Sequence, residues 1–218
     1  MIDLYTGTPG SGKSLHLADK IIWAVRMRRH VVCNFPVFLK KSDEYVHIVD
    51  NTELTPKYLL SITNQFIKEN GRRPHEDEIL LIIDECQIMF NARDWGQAGR
   101  ADWVKFFTQH RKLGYHVILV CQFDLMLDKQ LRSLVEYQHI HRKVSNFGWR
   151  GLFLCAITLC PKLFVDVRVW YPMREKVDSE FFRFHRRNAR IYDTNSTFDL
   201  YEETCDNEDA YLSLEKEA

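Results

Sequence analysis

Gly7-Thr8-Pro9-Gly10-Ser11-Gly12-Lys13-Ser14 is the stretch on which the reading of this chain turns. It fits the pattern GxxxxGK[ST] at every fixed position. Before it stands a short apolar segment, 2–5, and after it a segment, 14 to about 29, in which Leu15, Ala18, Ile22 and Val25 recur at helical spacing. Strand, glycine loop and helix together make an anion nest: glycines let the backbone curl until successive N–H groups face one concavity, and the helix adds the positive end of its dipole. Pro9 has no N–H, so the donors are expected from Gly10 through Ser14, with Gly7 and Thr8 forming the entry to the loop. Lys13 would reach the β- and γ-phosphates of a nucleoside triphosphate, and the Ser14 hydroxyl would coordinate Mg²⁺.

Further along, residues 79–85 read Ile-Leu-Leu-Ile-Ile-Asp-Glu. An apolar run without alternation is the signature of a central strand covered on both faces. This one delivers Asp84 and Glu85 to its carboxyl end, where ligands sit in open α/β sheets. Asp84 is placed in the magnesium shell, and Glu85 is the type of group that orients and deprotonates an attacking water. A third apolar strand, 117–121, ends in Gln122, a polar side chain able to sense a γ-phosphate or hold the water. Arg93, Arg100, Arg111 and Arg132 are candidates for an arginine donated to a neighbouring subunit's site, with Arg93 and Arg111 carried forward.

The remaining segments are expected as a strand at 31–35, helices at 55–68, 101–113 and 125–134, and strands at 137–144 and 152–169 paired as a β-hairpin through Gly148 and Gly151. Trp103, Phe106, Phe107 and His110 share one helix face, which reads as core and not as a base-stacking platform. The expected fold is therefore α/β: a three-layer P-loop NTPase with a mostly parallel sheet of the additional-strand, catalytic-glutamate type, extended by a C-terminal β-hairpin. Residues 1–190 would form the ATPase domain, with the hairpin at about 137–170, and 191–218 a flexible acidic tail.

The 218 residues are 45% hydrophobic and 28% charged, the composition of a soluble globular chain with room for one sizeable core. Net charge is zero but unevenly spread. The last 28 residues hold nine acidic groups against Lys216, leaving 29 basic and 21 acidic residues before them. Six cysteines without a CxxC pair suit a reduced, cytosolic compartment. No leader is expected, and the longest apolar run, 151–160, falls short of the roughly 20 residues that span a bilayer. His139 and His141 share a strand face, yet no Cys or carboxylate stands at matching spacing, so no zinc site is expected. The cluster Arg183, His185, Arg186, Arg187 and Arg190 could meet nucleic-acid or lipid phosphates.

With these residues in place the chain resembles the zonula occludens toxin (Zot) family, which includes the gene I assembly ATPases of filamentous phages. The likeness rests on the GTPGSGKS loop, on IIDECQIMF followed by Arg93, and on Gln109-His110-Arg111-Lys112-Leu113-Gly114 leading into HVILVCQ. The resemblance implies an ATP- and Mg²⁺-dependent motor, homo-oligomeric, at the cytoplasmic face of the host inner membrane. Its partners would be single-stranded phage DNA and coat or membrane assembly proteins. Family relatives continue into one membrane-spanning helix and an extracytoplasmic domain, whereas this chain ends in the acidic tail; direct anchoring and toxin activity are not expected of it. A small-molecule or nucleoside kinase sharing the phosphate loop is the alternative. A GTPase-type switch ranks last, because no NKxD motif occurs.

Overall fold

The computed structural model describes residues 1–39, 44–92, 99–158, 160, 162–185, 188 and 191. Eight strands form one sheet in the order β3-β2-β4-β5-β1-β6-β7-β8. They are β1 (Ile2–Thr6), β2 (His30–Cys33), β3 (Val46–Ile48), β4 (Ile79–Ile83), β5 (Tyr115–Val120), β6 (Tyr137–Lys143), β7 (Leu163–Trp170) and β8 (Glu175–Arg183). The six strands from β3 to β6 run parallel, and β7 and β8 close that edge in antiparallel pairings. β5 lies between β1, which leads into the glycine loop, and β4, which ends at Asp84. That interposed strand is the additional-strand arrangement the sequence predicts.

Two cores, one on each face, make the three layers. On β4, Ile79, Leu81 and Ile83 pack with Leu59, Ile62 and Phe66 of α2 (Pro56–Asn70) and with Trp103, Phe106 and Phe107 of α3 (Arg100–Gln109). The intervening Leu80 and Ile82 face Leu17, Ile21 and Ala24 of α1 (Lys13–Arg26). Period-2 alternation of an all-apolar strand thus feeds both cores at once. Local signals set the helix ends. Thr55 accepts the Tyr58 N–H (3.2 Å) ahead of Pro56, and Gly71 closes α2 in the left-handed conformation.

Several expectations are corrected. Only 163–169 of the predicted strand 152–169 is extended; α5 (Gly148–Ile157) occupies the earlier part. An unbroken apolar run carries no period that separates helix from buried strand. The decision falls to packing: Gly151 and Cys155, one helical turn apart, face inward, and a Cβ at Gly151 would come within 2.0 Å of the Val144 carbonyl oxygen. β6 and β7 do pair antiparallel, but through this helix, and the tight hairpin is β7–β8. β8 was not foreseen because its mostly exposed residues, EKVDSEFFR, show no apolar face. The helix expected at 125–134 is two pieces, a 3₁₀ turn at Asp124–Met126 and the four-residue α4 (Lys129–Arg132). Asp128 divides them, its carboxylate accepting the Gln130 and Leu131 N–H groups at 2.8 and 3.3 Å.

Ile191, placed in the acidic tail by the sequence, is buried against the α1-side core, and its carbonyl accepts the Phe38 N–H (2.9 Å). The expected tail beyond it lies outside the described residues, as do Arg186, Arg187 and Arg190. Among the described residues, no helix is long and apolar enough to cross a membrane, and five cysteines are free.

Candidate functional site

The carboxyl ends of β1, β4 and β5 converge on the glycine loop. Gly7, at φ 147°, donates its N–H to the Gln122 carbonyl (3.2 Å), which ties the start of the loop to the end of β5. A Cβ at Gly7 would lie 2.6 Å from both the His141 carbonyl oxygen and Ser11 Oγ, so no larger residue fits there. Gly12 caps α1 in the left-handed region, φ 98°, seated on the Phe164 and Phe182 rings. No side chain caps this helix, and its first turn holds no acidic residue. Its leading N–H groups and its positive dipole end therefore remain available to an anion, whereas the Ser11 N–H, one of the donors expected from the sequence, is given to the Thr8 carbonyl (3.1 Å).

Lys13 Nζ donates to the Gly7 carbonyl at 2.6 Å and to the Thr8 carbonyl at 3.4 Å. Burial pulls its ammonium below its usual range, while the charges of Asp84 and Glu85 hold it up; the acidic pair thus lies within electrostatic reach of the loop. Asp84 is pushed up to about 6, chiefly by burial, against the Glu85 N–H that its Oδ1 accepts at 2.8 Å. Glu85 sits at φ 45°, a left-handed conformation that costs a side-chain-bearing residue about 1 kcal/mol. The turn is held from both sides. Cys86 N–H donates to the Val120 carbonyl (2.9 Å), and Ile88 N–H to that of Glu85 (2.8 Å). The Glu85 carboxylate also accepts the Gln87 side-chain amide.

Sequence reasoning missed the supports of this centre. Asn34, directly after β2, accepts the Asp84 N–H (2.7 Å) and donates to the Asp84 carbonyl (2.9 Å), fixing the backbone of the acidic residue. Its place at a carboxyl strand end was the available signal. Arg142 and Lys143, at the end of β6, line a cavity of about 200 Å³ with Thr8, Asn146 and Phe147, which adds two cations beside the loop.

The structure does not bring every candidate here. Arg111 stands near the opposite, amino end of the strands, paired with Glu76 (3.2 Å) and Glu136 (2.5 Å), and the Glu136 N–H donates to the Ile2 carbonyl. Arg100 pairs with Asp128. Arg93 lies outside the described residues. His110 is core, its Nδ1–H donating to the Phe107 carbonyl (2.6 Å).

Comparison with known proteins identifies the family and the fold. The chain is 28% identical over 216 residues to the gene 1 protein of Escherichia phage If1 and 29% identical over 210 residues to that of Enterobacteria phage M13. These alignments cover 90% and 88% of this chain but 59% of each relative, so the chain spans well under two thirds of their length. Among solved structures, the N-terminal domain of zonular occludens toxin from Neisseria meningitidis superposes with a TM-score of 0.52 at 19% identity, covering 88% of this chain and 98% of that one. The genome packaging NTPase B204 from Sulfolobus turreted icosahedral virus 2, in complex with ATP-gammaS, gives 0.51 at 14% identity over 84% and 96% of the two chains. The fold is thus that of the P-loop ATPases. Residues 1–189 match the family described as Zonular occludens toxin (Zot), and the chain belongs to that family.

Proposed function

We propose that this domain binds ATP with Mg²⁺ and hydrolyses it to drive the assembly and extrusion of a filamentous single-stranded DNA phage. The observation that carries the reading is the meeting of Lys13, Asp84, Glu85 and Gln122 around an uncapped helix start. Gly7 through Ser14 would hold the phosphates, Lys13 countering the charge of the β- and γ-phosphates. Ser14 and Asp84 would be the oxygen donors for Mg²⁺, a hard cation that prefers such ligands and would supply positive charge to the phosphates. Glu85 takes the proton from the attacking water, held by Gln87 until substrate enters, and Gln122 orients that water at the end of β5. An acidic residue beside the metal aspartate favours hydrolysis over phosphate transfer to an acceptor, and no feature among the described residues favours the kinase alternative.

A motor of this kind would work as a homo-oligomer on phage DNA, with coat or membrane assembly proteins at the cytoplasmic face of the inner membrane. α5 supports that placement. Trp149, Leu152, Phe153 and Ile157 are each more than 60% exposed on its ten residues, and from 137 to 165 the chain carries Arg142, Lys143, Arg150 and Lys162 but no acidic residue. An apolar patch of this size marks a contact surface. Arg93 and Arg111 are the arginines assigned to a neighbouring subunit's site; within one chain Arg111 is held by Glu76 and Glu136.

The test is phosphate release from ATP without an added acceptor. Glu85→Gln should keep Mg-ATP binding and lose roughly 10²- to 10⁴-fold in turnover, and Lys13→Ala should lose binding itself. Undiminished turnover in Glu85→Gln, or release only when an acceptor is supplied, sinks the reading.

A further inference from the structure

A second cluster of chemically active side chains lies apart from the residues assigned to ATP hydrolysis. His16 of α1, His139 and His141 of β6, Asp166 of β7 and Asp3 and Tyr5 of β1 meet between helix and sheet, none more than 8% exposed. His141 and Asp166 are direct partners in the β6–β7 register. His16 comes from 125 residues away to place its Nδ1 2.8 Å from His141 Nε2 and 3.9 Å from Asp166 Oδ2. Sequence spacing around His139 and His141 offered no third ligand; the fold supplies one from a helix and another from the adjacent strand.

We propose that His16 Nδ1, His141 Nε2 and a carboxylate oxygen of Asp166 form a binding site for one divalent transition-metal cation of the zinc class. The three ligand atoms lie within 4.8 Å of one another, a spread that a tetrahedral ion contracts by small side-chain shifts. Two imidazole nitrogens with one carboxylate suit Zn²⁺ or Co²⁺, whereas Mg²⁺ and Ca²⁺ prefer oxygen throughout. The outer contacts are those a metal site uses. His141 Nδ1–H donates to the His139 carbonyl (3.2 Å), leaving the Nε2 lone pair facing His16, and His139 Nδ1–H donates to Asp166 Oδ2 (2.5 Å). His16 binds through Nδ1 with its proton on Nε2. Burial keeps His16 and His141 neutral, the form in which a ring nitrogen has a lone pair to give.

A plain hydrogen bond from His16 to His141 would satisfy those two rings alone. It would leave the buried Asp166 Oδ1 and Tyr5 hydroxyl without a hydrogen-bond partner, as they stand now. A cation on the carboxylate removes the larger of these deficits. The Tyr5 ring packs 4.9 to 5.1 Å from the His141 and His16 rings and covers the site, and a water carried in with the ion would be the fourth ligand of the tetrahedron. Buried as these side chains are, the ion's role is structural. It would pin α1, which begins at Lys13, to β6 and β7 and so brace the phosphate loop, whose Gly7 abuts the His141 carbonyl.

The experiment uses the whole chain, stripped with a chelator and free of nucleotide and Mg²⁺, titrated with Co²⁺ and followed by its visible absorption. One equivalent should produce a band of tetrahedral intensity, Zn²⁺ should displace it, and Zn²⁺ should raise the melting temperature. His16→Asn and Asp166→Asn, checked for native circular dichroism, should each weaken the Co²⁺ affinity 10-fold or more. Lys13→Ala should bind normally, so loss of the ATPase reading leaves this one standing. His30 and His47, whose ring nitrogens lie 3.0 Å apart near Glu69, are the control, and His47→Ala should leave the band unchanged. Absence of a stoichiometric band and of a Zn²⁺-dependent melting shift in the unaltered chain overturns the proposal. So does a band that survives in His16→Asn and Asp166→Asn but vanishes in His47→Ala.

Discussion

His16 and His141 are held far from their solution protonation behaviour. Desolvation, reinforced by neighbouring imidazoles, lowers His16 to about 3 and His141 to about 4, from 6.5. Because the folded value is depressed, the unfolded chain takes up protons first, and stability present above pH 6.5 drains away as the pH falls toward 4 and then 3. Between about pH 7.5 and about pH 5, each ring contributes a loss of about 2 kcal/mol by linkage. Asp84 acts with the opposite sign: raised to about 6 from 3.8, it is protonated in the folded chain first. Over the same interval it returns about 1 kcal/mol, leaving a net loss of about 3 kcal/mol, a substantial part of a typical 5–15 kcal/mol. His47 and His110, also lowered by burial, add to the loss, and Asp19, raised by burial, opposes it. Urea unfolding followed by tryptophan fluorescence, with chelator and without nucleotide, measures this directly. A His16→Gln/His141→Gln double variant should lose most of the acid sensitivity. An unfolding free energy that stays flat or rises on acidification in the parent chain would refute the burial argument.

Gly12→Ala should destabilise the fold by about 2 kcal/mol, because φ is 98° and the new Cβ would sit 2.8 Å from Phe164 Cδ1. Gly10→Ala, at φ 73° with open space around it, should cost about 1 kcal/mol; equal melting temperatures for the two variants would disprove the role given to the Phe164 and Phe182 floor. Asn34→Ala should cost about 1–2 kcal/mol in denaturant melts, since it removes both contacts with the Asp84 backbone. It should also reduce ATP turnover more than nucleotide affinity; an unchanged turnover would show that the Asp84 backbone needs no such hold.

Much of this protein could be read from local chemistry. The loop from Gly7 to Ser14 is contiguous and constrained by backbone sterics, so its residues announce its shape, and the Ile79–Ile83 strand announces its double burial by lacking polar positions. Thr55-Pro56 and Gly71 fix the ends of α2 by capping, again a matter of neighbours in sequence. Where the signal is apolar but aperiodic, as in Gly148–Ile157, or mixed and mostly exposed, as in Glu175–Arg183, local reading fails. Burial on a particular neighbour, and not propensity, sets those elements.

The amino-acid order by itself thus determined the glycine loop, the acidic pair Asp84–Glu85 at a strand end, and a mostly parallel sheet in a three-layer fold, because each depends on the conformations of adjacent residues. Tertiary structure alone decided that Asn34 braces Asp84, that Arg111 is engaged at the far end of the strands, and that His16, His141 and Asp166 share one buried cluster. Those relations join groups 25 to 150 residues apart in the chain, some of them set side by side only through strand register. Only the packing of helix on sheet brings such groups within hydrogen-bond range.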